Sequence, residues 1–320
     1  MKLIVTIDVE EEGLFRGKYE FGNTSVNNIS ELRRLDSIFL EWEIRPTLLV
    51  TYPVVTNESA INIVLELQER WKAEIGAHLH PWNTPPLQTL PYPEPVPSEF
   101  ISRELLKAKL ETLMECLSQR GIEPMSFRMG RFNMGPRMFS VLQETGIEVD
   151  SSIAPMQRYY GGPDHLTAPT DPYFPDPVDP LRPGSSKILE VPLTTVPLTR
   201  NLGRYLQALD ESIIPRPWIS WFAMYLGTLS VQPLGTGLRR MKAAALAHSA
   251  RSGRVLTLYF HSSELIAGGS PELPTSKHVN RFLNQLRAFI AWLCSHMNAE
   301  PTTLSELSDS YRSNDARFEC

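Results

Sequence analysis

Hydrophobic and polar positions in the first half of the chain switch between two periods. Short runs rich in β-branched residues predict strands at Lys2–Asp8, Arg45–Thr51, Glu74–His78, Met125–Arg128 and Ile147–Asp150. Between them, apolar residues recur at helical spacing. Ile29–Trp42 does so through Leu32, Leu35, Ile38 and Phe39, and Ala60–Trp71 through Ile61, Val64, Leu65 and Leu67. Ser102–Gln119 carries Leu105, Leu106, Leu110, Leu113, Met114 and Leu117 on one side, with Gly121 as its stop. Pro136–Thr145 opens with Pro in its first turn and ends before Gly146.

Strand–helix alternation of this kind predicts an α/β fold with a parallel sheet, open or closed into a barrel. Chemistry in such folds gathers at the C-terminal ends of the strands. Here those ends are Asp8, Thr51, His78, Arg128 and Asp150, four of them ionisable. The pattern then changes. Residues 155–186 are dense in Pro, Gly and Asp and predict a long irregular loop. Lys187–Pro192 resumes as a strand, 201–250 reads as a helical insertion, Arg254–His261 is a further strand and Thr275–Met297 a closing helix. No internal repeat is visible.

Composition narrows this picture only a little. Of 320 residues, 42% are hydrophobic and 21% charged, ordinary for a globular protein. A net charge of −5 offers no basic field to a nucleic acid. Cys116, Cys294 and Cys320 are few and far apart, which reads as free thiols in a reducing compartment rather than a disulfide framework. The opening MKLIVTIDVEEE runs from a strand straight into acids, so a cytoplasmic location is expected, with membrane association as a further option. That option rests on 217–238, which has no charge and several aromatic residues but is broken by Pro233. Its apolar part is short for a bilayer span; a buried helix or lid is the expectation, a peripheral membrane contact the alternative.

Several residue groups could carry chemistry. Asp8 and Glu10, two apart on a strand, point the same way and can share a divalent cation, or divide cation and proton between them. The plain reading is a solvated acidic strand end beside Glu11 and Glu12. His78 and His80, in EIGAHLHPWNTPP, have the same spacing, and neutral imidazoles suit zinc; the plain reading is one core and one surface histidine. Arg128 and Arg131 in SFRMGRFNMG offer guanidinium forks that can hold a carboxylate ionised, or they are an ordinary surface pair. His261 ends its strand with Glu264 nearby, a placement suited to a general acid. Asp150 with Ser151 and Ser152 could orient a substrate or cap a turn. Trp82, Tyr159, Tyr160, Trp218 and Trp221 could stack on sugar faces or pack a core or lid.

The order of these motifs resembles the polysaccharide deacetylases, the NodB-homology family of carbohydrate esterases. TIDVEE, EIGAHLHPW, FRMGRFNMG, VDSSIAP and LTLYFHSSE follow that family's acidic, His, Arg, Asp-Ser and final His motifs, from residue 3 to about 265. HLHPWNTPP is similar to a subgroup associated with lipopolysaccharide or surface-glycan biosynthesis. The resemblance implies a distorted (β/α)7-type barrel formed by one catalytic domain over 1–320, carrying the Pro-rich loop 155–186 and the helical insertion 201–250. It implies a metal-dependent hydrolase of C–N bonds other than peptide bonds, removing an N-acetyl or other acyl group from an amino sugar of a glycan or glycan precursor. By position, Asp8 is the catalytic base, Arg128 its orienting partner and His261 the general acid. Glu10, His78 and His80 would hold a divalent metal, zinc first. Trp82, Arg131, Asp150, Glu190 and Glu264 are candidate substrate contacts. Two spacings depart from the family: Val9 separates the acids, and Trp82 stands where the second histidine is usual, so His80 must replace it. A non-catalytic glycan-binding relative and a metal amidohydrolase acting on a non-sugar amide remain open.

Overall fold

The computed structural model describes residues 1–158, 162–209 and 215–315. Tyr159, Tyr160 and Cys320 lie outside the described residues. Seven parallel strands form the frame: β1 (Lys2–Val9), β2 (Thr47–Val50), β3 (Glu74–Leu79), β4 (Ser126–Met129), β5 (Val149–Asp150), β6 (Leu189–Glu190) and, later in the chain, β9 (Val255–His261). Their spatial order is β9–β1–β2–β3–β4–β5–β6, curled into a half-barrel surrounded by helices. Among the described residues no ladder closes the gap between β6 and β9. Thr194 bridges it, its backbone N–H donating to Thr257 O (3.2 Å) and its Oγ1 accepting from Thr257 N (2.8 Å).

Strand parity decides what each face holds. Leu3, Val5 and Ile7 of β1 point outward into the main core, which the helices cover. The covering helices are α1 (Asp36–Phe39), α2 (Tyr52–Thr56), α3 (Glu58–Trp71), α4 (Arg103–Ser118) and α5 (Pro136–Leu142), with α6 (Leu202–Gln207), α7 (Arg216–Tyr225), α8 (Leu238–Ala250) and α9 (Ser276–Met297) following. Side-chain caps start two of them: Asn57 accepts from Ala60 N (3.0 Å) and Ser102 from Leu105 N (3.2 Å). On the inward face, Ile4, Val149, Leu189 and Val255 pack against Leu304 and Leu307 of α10 (Leu304–Asp315), which plugs the N-terminal end of the barrel. Above that plug the inward positions turn polar.

All seven strands expected from the sequence form, and the long helices lie within two residues of their expected starts. Three expectations need correction. Residues 27–42 begin as a tight 3-10 helix, Asn27–Leu35, before the single turn of α1. The insertion is not wholly helical: β7 (Thr195–Pro197) and β8 (Thr228–Ser230) form an antiparallel pair at its base, too short to leave a period in the sequence. The apolar 217–238 segment is neither a span nor a fully buried helix, since α7 buries Ile219 and Ala223 and exposes Trp218, Trp221 and Phe222. The C-terminal β10 (Glu300–Pro301), paired with Lys2 and Leu3, and α10 were not anticipated. The Pro-rich loop lines the free edge of β6, where Tyr173 and Glu190 form an antiparallel bridge and exchange backbone hydrogen bonds of 3.1 and 2.8 Å.

Candidate metal centre

Asp8 and Glu10 leave the end of β1 on its inward face, and His78 and His80 leave the end of β3 the same way. A spacing of two on each strand preserves parity, so all four side chains converge. The three ligand-type atoms Glu10 Oε2, His78 Nε2 and His80 Nε2 form a triangle with sides of 3.5, 3.4 and 3.0 Å. Two ligands bonded at zinc–nitrogen or zinc–oxygen distance and set at a tetrahedral angle lie about 3.4 Å apart. The triangle therefore has the size that one small cation requires.

Hydrogen bonds on the far side of each ring fix where the lone pairs point. His78 Nδ1 faces Arg128 O at 3.0 Å, and a carbonyl can only accept, so Nδ1 carries the proton. His80 Nδ1 faces Glu11 Oε1 at 2.8 Å, with the same consequence. Both Nε2 lone pairs thus aim at one another across 3.0 Å. A positive charge must lie between them, as a proton or as a metal ion. In the metal-free protein the proton takes the place: burial disfavours a charged His80, but Glu11 and Glu10 outweigh it and raise its pKa to about 9. Burial likewise pushes Glu10 up, while His261, His78 and His80 more than offset this and hold it well below the usual carboxylate range. A donor set of one carboxylate and two imidazoles suits a divalent cation.

Glu11 entered the sequence reading only as a neighbour of the acidic strand end, and the structure gives it a larger part. It is fully buried, and its Oε1 also accepts from Trp82 Nε1 (3.0 Å) and Asn83 Nδ2 (2.7 Å). A carboxylate behind a ligating histidine fixes its tautomer and makes it a better donor. The only available sequence signal was the second acid after β1 together with the NH-bearing Trp82 and Asn83 after β3. A second missed residue is Lys109 of α4, whose buried Nζ donates to Thr84 O (2.6 Å) and Pro86 O (2.7 Å) and so holds the HLHPWNTPP segment. Burial lowers its pKa to about 8. Gly130 matters here too, because a Cβ at this position would lie 2.6 Å from His80 Cδ2.

Beside the triangle, Asp8 Oδ1 accepts from Arg128 Nη1 at 2.5 Å. The buried guanidinium is held by Ser151, through its carbonyl (2.7 Å) and its Oγ (2.8 Å), and its carbon lies 5.3 Å from the Phe132 ring centroid and 5.8 Å from that of Tyr259. Arg131 and Phe132 both adopt left-handed φ angles, 56° and 54°, which cost about 1–3 kcal/mol each and set Phe132 under the guanidinium. The other oxygen of Asp8 lies 3.8 Å from His78 Nε2 and 3.7 Å from His261 Nε2. His261 Nδ1 donates to Glu264 Oε1 (2.7 Å). Burial lowers the His261 pKa, but Glu10 and then Glu264 outweigh it and raise it to about 9. With 14% of its side chain exposed, His261 is the member that reaches solvent. Phe15 and Tyr259 flank it and also line a cleft of about 400 Å³ bounded by Thr195, Ser230 and Gln232 of the insertion's base.

The sequence-expected substrate contacts separate in the structure. Arg131 is exposed over the Tyr19 ring, 5.2 Å from its centroid, near the mouth of the site. Trp82 is buried, tied to Glu11 and leaning on His80, so its face is not presented to a ligand. Glu264 stands behind His261. Asp150 and Glu190 do not join the cluster at all. Ser151 points inward to Arg128, so its neighbour Asp150 and the register partner Glu190 point outward under the Pro-rich loop. Trp218 and Trp221 lie on α7, in the insertion.

No family model matches the sequence, and no curated protein matches it. The fold does match solved structures. One is a provisionally assigned polysaccharide deacetylase from Mycobacterium smegmatis, 18% identical, with a TM-score of 0.59 over 98% of this chain and 91% of that one. Another is a provisionally assigned glycoside hydrolase/deacetylase from Parabacteroides distasonis, 14% identical, TM-score 0.63, covering 98% of this chain and 71% of that one. A third, the 4-alpha-glucanotransferase from Thermococcus litoralis, is 15% identical with a TM-score of 0.51, and this chain spans 40% of its length. At such identities the likeness is one of fold.

Proposed function

We propose that the chain is a metal-dependent hydrolase that removes an acyl group, acetyl first, from the nitrogen of an amino sugar in a glycan or glycan precursor, and that 1–320 work as one catalytic unit. The observation that carries the reading is the Glu10–His78–His80 triangle, with both Nδ1 atoms committed elsewhere. Those three residues would hold the cation, zinc being the first candidate for a carboxylate and two imidazoles. When bound, it supplies Lewis-acid polarisation of the amide carbonyl and acidifies water.

The remaining steps belong to side chains. Asp8, oriented by its hydrogen bond from Arg128, accepts a proton from the attacking water as the water oxygen bonds to the carbonyl carbon. His261, held by Glu264, donates a proton to the amide nitrogen as the C–N bond breaks, leaving a carboxylate and a free amine. Phe15 and Tyr259, which flank His261, line the cleft, and this fits a substrate entering there. Similarity in fold to deacetylases and to carbohydrate-active enzymes supports a saccharide as substrate.

Metal analysis and acetate release from N-acetylated oligosaccharides test this together. The purified protein is expected to hold one divalent ion and to release acetate. His80→Ala is expected to lose both. Full metal content in His80→Ala would overturn the ligand set. Release of acid from small linear or cyclic amides but from no N-acetylated sugar would instead favour a non-sugar amidohydrolase.

A further inference from the structure

The insertion presents an unusual surface. On α7, Ile219 and Ala223 face inward to Met156, Leu166 and Leu206. Three and four residues apart on the other side, Trp218 (63% exposed), Trp221 (48%) and Phe222 line up toward solvent, and Leu226 extends the row. The neighbouring α6 adds Tyr205 (65% exposed), with Leu209 one turn on, and Leu198 joins beside Leu226, its N–H bonded to Gly227 O. Large apolar side chains gathered this way on a protein surface mark a contact site. Two of them are indoles and one a phenol, the side chains favoured where hydrocarbon meets water.

Charge selects the occupant. Between Val191 and Ser263 the sequence has eight Lys and Arg against two acids, Asp210 and Glu211, in a chain whose net charge is −5. The rest of the molecule is therefore strongly acidic; of the eight cations, Arg200, Arg204 and Arg216 belong to the α6–α7 stretch that carries the aromatic row, and the other five to α8 and the approach to β9. Arg200 and Arg204, both exposed, flank that row. Among the described residues no helix is long and apolar enough to cross a membrane. We infer that α6 and α7 form an interfacial dock that seats the protein on an anionic lipid surface, with Trp218, Trp221 and Phe222 inserted at headgroup depth and Arg200 and Arg204 against the lipid charges.

Sedimentation of the full chain with vesicles tests this without reference to activity. Vesicles of phosphatidylcholine with a minority of phosphatidylglycerol are expected to bind the protein at low salt, and pure phosphatidylcholine vesicles to bind it far less. Trp218→Ser/Trp221→Ser is expected to weaken binding by roughly tenfold or more, and Arg200→Gln/Arg204→Gln by about fivefold per charge removed. Quenching of the wild-type tryptophan emission by lipids with brominated chains needs no variant and is expected on anionic vesicles. The dock is refuted by absence of binding and quenching at low salt, or by vesicle binding that both double variants leave unchanged. A dimer in solution that Trp218→Ser/Trp221→Ser dissolves would assign the row to a second copy of the chain and also refute it.

Discussion

Two groups of buried acids lie on opposite faces of one sheet and behave in opposite ways. Inside the barrel, Glu10 and Glu11 are surrounded by imidazoles, which hold both carboxyl groups below their ordinary range despite burial. Outside, under the Pro-rich loop, Asp150 and Glu190 face each other with little to balance them. Burial pushes Asp150 up to about 6, and burial with the Asp150 charge pushes Glu190 well above its usual value. Among the described residues Asp150 Oδ2 has no donor except what the Glu190 carboxyl can supply, so a shared proton completes the pair. Carboxylates are thus prepared for a cation on one face and for a proton on the other; strand parity sets the face for Glu10, Asp150 and Glu190, while Glu11, just past β1, turns inward to its own donors.

The sharpest way to break this comparison is at Asp8. Asp8→Asn keeps the shape but cannot accept a proton, and turnover of an N-acetylated sugar should fall by about three orders of magnitude. Metal content, measured on the same sample, should stay near the wild-type level, because Asp8 lies outside the Glu10–His78–His80 triangle. Next comes Glu11. Its replacement by Gln removes the anion behind His80, and metal affinity, read by competition with a chelator, should drop about 10- to 100-fold. An unchanged affinity would make Glu11 a packing residue only.

The smallest effect belongs to the outward pair. Its folded-state pKa values lie above the unfolded ones, so the fold binds more protons than the unfolded chain between them. The stability this gives is fully present below about pH 4 and is lost as pH rises through about 6 and beyond. Glu190→Gln removes one of the two charges. The fall in stability between pH 5 and pH 8 should shrink by on the order of 1 kcal/mol, measured by denaturant unfolding at each pH. Parallel curves for variant and wild type would mean that the pair is not proton-linked.

Much of the interior cluster was legible because strand ends and two-residue spacings are visible in a sequence. Asp8–Glu10 and His78–His80 needed only parity and a parallel sheet to meet. Asp150 was misplaced because the end of a strand two residues long does not reveal which face it uses, and its neighbour Ser151 took the inward position. Glu11 lies just past β1, where alternation no longer predicts direction, and the three donors to its Oε1 come from residues some seventy positions away. Lys109 looked like one cation on an amphipathic helix, and only the fold brings the Thr84 and Pro86 carbonyls to it. The aromatic face of α7 was visible as composition, but its exposure depends on which side Ile219 and Ala223 find a partner.

The central claim is that a single cation sits among one carboxylate and two imidazoles, and a crystal structure of the zinc-loaded protein with anomalous data at the zinc edge tests it most directly. One anomalous peak bonded at about 2.0–2.2 Å to a Glu10 oxygen and to Nε2 of both His78 and His80 is the predicted result. Zinc bound elsewhere, or a Glu10 carboxylate turned away from a metal that the histidines alone retain, would contradict it.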